Sequence, residues 1–146
     1  YNPRAGFHAG TEKLTIPDTP QLLFMVAAGL AAVGVGAHEL VGSPRVLGPL
    51  KDSGLPPEVV WLHHFSWHVG SVAVAAMIAL FLLAAWQPQG LMFAVVATAM
   101  SAGFAMLGIG LAVFGNRALW RTPAPYPWAL ISLIGGLGLY LAGAAM

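Results

Sequence analysis

The chain has no cysteine. That excludes disulfides, thiolate metal sites, iron–sulfur clusters and cysteine nucleophiles, and it leaves the redox compartment open. Charge is almost as scarce: 8% of the 146 residues are Asp, Glu, Lys or Arg, against about 25% in an average soluble domain. So few charges do not cover a water-facing surface of this size, so most of the surface must face lipid or other apolar protein. The net charge is +1 and no basic stripe is visible, which argues against nucleic acid as a partner. The chain also lacks HExxH, GxSxG and paired carboxylates deep in an apolar segment. Nothing therefore points to an enzyme.

What is present is apolar sequence, 58% of the chain. Four stretches are each long enough to cross a bilayer, which takes about 20 residues. They run over residues 21–42, 58–86, 91–115 and 128–146. Each reads as a helix, because an open strand in lipid leaves its backbone groups unpaired. The expected fold is an all-α membrane protein, an up-and-down four-helix transmembrane bundle forming one domain over residues 1–146. Ser43-Pro44 is expected to end the first helix. Pro56-Pro57-Glu58 opens the second, with proline in the first turn and an acid at the positive helix end. Gln87-Pro88-Gln89-Gly90 reads as a tight turn, and residues 122–127 as an irregular segment. The first residue, Tyr1, leaves room for sequence before it. The polar stretch up to Thr19 lacks the apolar h-region of a signal peptide.

Aromatic residues set a depth scale. From Trp67 to Trp86 a helix rises roughly 28 Å, close to the hydrocarbon thickness. Trp120, Tyr126 and Trp128 form a second group. Such belts mark the headgroup level. Counting spans puts the loops 43–57 and 116–127 on one side, here side B, and both termini with the 87–90 turn on side A. Side B carries Arg45, Lys51, Arg117 and Arg121, and side A carries Arg4 and Lys13. Four against two favours side B as cytoplasmic.

Small residues recur at helical spacing: Ala28, Ala32 and Gly36, then Ser132 and Gly136, then Gly138 and Ala142. Such rows let helix backbones approach in lipid. Ordinary bundle packing is the preferred reading; docking of a partner or a flat cofactor is the sharper one.

One constellation carries chemistry. His38 and Glu39 end the first helix, and His63, His64 and His68 open the second, so four of the five histidines gather on side B. The short connection makes those helices antiparallel neighbours. At about 100° per residue, His64 and His68 lie roughly 40° apart, with Ser71 between them in angle. Below His38 runs a strip of Gly34, Ala31 and Ala27 with almost no side-chain volume. His38, Glu39, His64 and His68 could together ligate a transition metal. His38 with His64 or His68 could instead clamp a haem, or one histidine could hold a chlorophyll-type pigment through its magnesium. Against these stands a plain alternative, in which the imidazoles hydrogen-bond to Glu39, Ser71 or backbone carbonyls. Of three functions, the expected one is a small non-catalytic subunit packed within a larger membrane complex, with membrane lipids and other membrane-protein subunits as partners. A haem-, metal- or pigment-binding redox protein is the second. A small transporter is third, disfavoured because the mid-membrane lacks polar groups.

Overall fold

A computed structural model describes residues 17–87 and 89–144. Arg4, Lys13, the polar stretch up to Ile16, Pro88 and the last two residues lie outside the described residues. The described residues contain no strand. Helix α1 (Thr19–Ala37) passes through a π-helical turn (His38–Gly42) into α2 (Ser43–Lys51), and α3 (Pro57–Trp86) returns. Then α4 (Leu91–Gly110) runs into a second π turn (Leu111–Gly115) and a 3-10 segment (Arg117–Arg121), and α5 (Tyr126–Ala144) closes the bundle. Four helical spans are long and apolar enough to cross a membrane. The chain is an integral, multi-pass membrane protein with lipid-contacting helices. Helix α1 packs on α3 and α5, and α4 packs on the same two, so the four spans form a closed up-and-down ring.

The boundaries differ from expectation in three informative places. Helix α1 starts at Thr19 rather than residue 21, because Asp18 caps it. The Gln21 amide donates to Asp18 Oδ1 at 2.9 Å, and the Asp18 amide donates to Gln21 Oε1 at 2.9 Å. This reciprocal pair satisfies two donors that a helix start otherwise leaves free. At the other end, Pro44 does not stop the helix. Proline removes a backbone donor and crowds the preceding turn, but the π turn before it changes the bonding register. The Ser43 amide donates to His38 O, five residues back. Pro44 then occupies the first turn of α2, where a missing N–H costs little. The fourth helix starts at Tyr126, two residues before the expected boundary.

The core lies toward side A. Its large members are Phe24, Met77, Phe81 and Ile131, and around them alanines dominate: Ala27, Ala28, Ala31, Ala94 and Ala97. Small side chains bring backbones close, which matters in lipid because moving an apolar group from lipid into the protein gains little. Phe24 and Phe81 stack with centroids 6.4 Å apart and press against α5 at Gly138 and Gly135. The expected small-residue rows are only partly used. Ala28 and Gly138 are buried, whereas Ala32 is exposed and Gly36 and Gly136 have open space in front of them.

Toward side B the packing loosens. In α3 every buried residue lies at Val74 or beyond, and in α1 none follows Ala31. The helices there also differ in length. With 33 and 30 residues, α1–α2 and α3 reach roughly 50 and 45 Å, against roughly 28 Å for the 19 residues of α5. The helix pair α1–α2 and α3 therefore projects past α5 on side B.

Candidate functional site

The histidines and Glu39 lie where this projecting pair leaves the packed core. Glu39, in the π turn, faces α3. Ser71 Oγ donates to Glu39 Oε1, and His68 Nδ1 donates to the same oxygen at 3.2 Å. Both donors come from one face of α3, at i and i+3, and the acceptor is 29 and 32 residues away in sequence, so this is an interhelical clasp. His68 is the more exposed member, its side chain 55% accessible against 31% for Glu39.

His38 is held differently. Its ring stacks on the Trp67 indole with centroids 3.8 Å apart and planes 11° from parallel. Its Nε2 lies 3.4 Å from the Trp67 carbonyl oxygen and donates to it. Gly42, one turn after His38, makes room for the indole: a Cβ there would lie 3.1 Å from Trp67 Cζ2. The Trp67 Nε1 is buried without a hydrogen-bond partner among the described residues. His63 Nδ1 donates to the Val59 carbonyl at 2.8 Å, and the His64 ring leans on Trp61 at 5.2 Å.

The four-ligand set read from the sequence, His38, Glu39, His64 and His68, is therefore not assembled. Glu39 and His68 meet. His38 takes Trp67 as its partner on α3, and His64 lines an outer groove of α3 with His68, Trp61 and Phe65. Among the described residues no three His, Asp or Glu side chains converge to hold a metal ion. The residues fit a bis-histidine haem no better, since His38 lies flat on an indole with its Nε2 bonded to a carbonyl. Of the strip below His38, Ala27 and Ala31 are fully buried in the bundle, whereas nothing lies within 4 Å of a Cβ at Gly34. Glu39 accepts from His68, and backbone carbonyls accept from His38 and His63.

Beside this corner the loosened bundle leaves an open recess of about 280 Å³. His38 and Ser71 are among the residues that line it, with Val35, Val74, Phe104 and Trp128. Trp128 packs tilted on Phe104 with centroids 5.2 Å apart, and its carbonyl accepts from Ser101 Oγ at 2.8 Å. Two features of the site were missed in the sequence, Trp67 as the partner of His38 and the recess itself. Gly42, four residues after His38, was the available signal for the first. The recess follows from unequal helix packing, which no local pattern encodes. Comparison with family models, curated proteins and solved structures finds no match for this chain.

Proposed function

We propose that this protein is a non-catalytic subunit that packs within a larger membrane assembly through the projecting ends of α1–α2 and α3. The observation that carries this is apolar exposure above the belt. With Trp67 at the headgroup level, residues 57–66 of α3 stand beyond the hydrocarbon, where acyl chains do not cover them. Yet Trp61, Leu62 and Phe65 are 68%, 59% and 67% exposed there. Large apolar side chains grouped outside the lipid mark a protein contact. His38, Glu39, His68 and Ser71 nearby are engaged in bonds between helices, which suits a structural part better than a reaction centre.

The test replaces Phe65 with a photoreactive phenylalanine analogue in native membranes. One discrete adduct of higher mass is expected, together with comigration of the chain in a larger complex on a native gel in mild detergent. Adducts to lipid alone, from a protein that purifies as a stable monomer, would overturn the reading.

The proposal includes an orientation, with loops 43–57 and 116–127 on the cytoplasmic side. The support is the charge count, four cations against two, that sets topology in multi-pass proteins. Because the chain has no cysteine, single cysteines report without background. Asp52→Cys should resist a membrane-impermeant maleimide added outside intact cells, and Gln89→Cys should be labelled. The reverse pattern rejects the orientation and leaves the subunit reading standing.

A further inference from the structure

We infer that the side-B recess is a binding site for a lipid-soluble, single-ring compound that carries a hydroxyl donor, a phenol or a hydroquinone. Three observations lead there. The first is size. A volume of about 280 Å³ lies near the roughly 300 Å³ lower end of ligand pockets. Benzene already fills an apolar cavity of about 150 Å³, so this one takes a substituted ring. The second is the wall. Phe104 and Trp128 present aromatic surface, and Val35, Val74 and Leu107 surround it. Water gains little in such a space, because it needs two to four polar partners.

The third observation selects the chemistry. The Trp67 carbonyl only accepts, so Nε2 bears the proton of that bond, and Nδ1 is the ring nitrogen that can present a lone pair. The Ser71 proton is directed to Glu39, which leaves the hydroxyl with lone pairs alone. Of the lining side chains, His38 and Ser71 therefore carry acceptors, and the Trp128 indole on the far wall carries a donor. A ligand that brings a donor is matched at His38 and Ser71. One that brings only an acceptor sets lone pair against lone pair, and loses the partner that a buried polar group requires. Gly70 supports the space, since it lines the recess and has nothing within 4 Å of where its Cβ would stand.

The experiment is equilibrium dialysis of the full chain in detergent against 4-hexylphenol and against its methyl ether. The ether keeps the ring, the chain and the acceptor oxygen but lacks the donor. The phenol should bind about tenfold more tightly, the equivalent of one hydrogen bond to a desolvated partner. His38→Phe keeps a flat ring for the stack and Ser71→Ala keeps the helix; each should reduce that preference severalfold. Gly70→Leu fills the recess and should abolish binding of both compounds. If Gly70→Leu does not fold, Leu107→Trp fills the same space from an exposed position. Equal binding of phenol and ether, binding that persists in the filled variants, or no binding of the phenol would each overturn the assignment.

Discussion

Gly138→Leu should be among the most damaging single substitutions in the bundle, and Phe24→Ala should rescue it. A Cβ at Gly138 would lie 2.6 Å from Phe24 Cε1, well inside van der Waals contact. Phe24 has little freedom to retreat, because it is buried and stacked on Phe81. Overpacking a core costs about 1–3 kcal/mol and sometimes more. Here the upper end is expected. Lipid accepts the displaced apolar surface, so α5 separates from α1 instead of compressing against it. Thermal unfolding in detergent reads the loss as a lowered midpoint. Phe24→Ala removes the opposing ring and leaves room for the new leucine. The double variant should therefore be more stable than Gly138→Leu alone, a coupling that only contacting residues show. Gly136→Leu is the control on the same helix. Nothing lies within 4 Å of a Cβ at Gly136, so its midpoint should hardly move. Equal damage at both glycines would mean that backbone propensity, not the Phe24 contact, sets the cost.

That pair of glycines also shows what the sequence could and could not reveal. Four long apolar runs settle the class of fold, since the backbone in lipid has few alternatives. The order of neighbours follows from short connections. Which glycine faces a ring does not follow, because i, i+4 spacing marks several rows and only tertiary packing chooses among them. The row through Ser132 and Gly136 looked as good as any; the structure instead uses Gly135 and Gly138. The start of α1 was legible, for Asp18-Thr19-Pro20-Gln21 spells a capping box with proline in the first turn. The continuation past Pro44 was not, because it depends on a π turn whose bonding register leaves no mark in composition. In the site, the meeting of Glu39 with His68 and Ser71 was within reach of angular reasoning on two neighbouring helices. The diversion of His38 to Trp67 left a fainter trace, Gly42 one turn after His38, because a tryptophan of the headgroup belt can also partner a histidine.

Glu39→Ala should cost more than Glu39→Gln, and removing all three polar groups should cost less than removing the glutamate alone. One carboxylate oxygen accepts from both Ser71 and His68, so alanine leaves two donors unpaired at the edge of the hydrocarbon. An unpaired buried group costs about 1–3 kcal/mol. His68 is more than half exposed and finds water or headgroups, so Ser71 bears most of the loss, and about 1–2 kcal/mol is expected. Hydrogen bonds between membrane helices average about 0.6 kcal/mol; a shared, charged acceptor places this one above that mean. Glutamine keeps one carbonyl oxygen for Ser71, and its midpoint should fall between wild type and alanine. In the triple variant Glu39→Ala, Ser71→Ala, His68→Phe, no donor is stranded. The cost of desolvating unpaired groups disappears, and the triple variant should recover part of what Glu39→Ala loses. The measurement is again thermal unfolding in detergent, run as a cycle over the three positions. If Glu39→Ala alone leaves the midpoint unchanged, the carboxylate is solvated by headgroups and water, and the clasp between α1 and α3 contributes nothing to holding the bundle together.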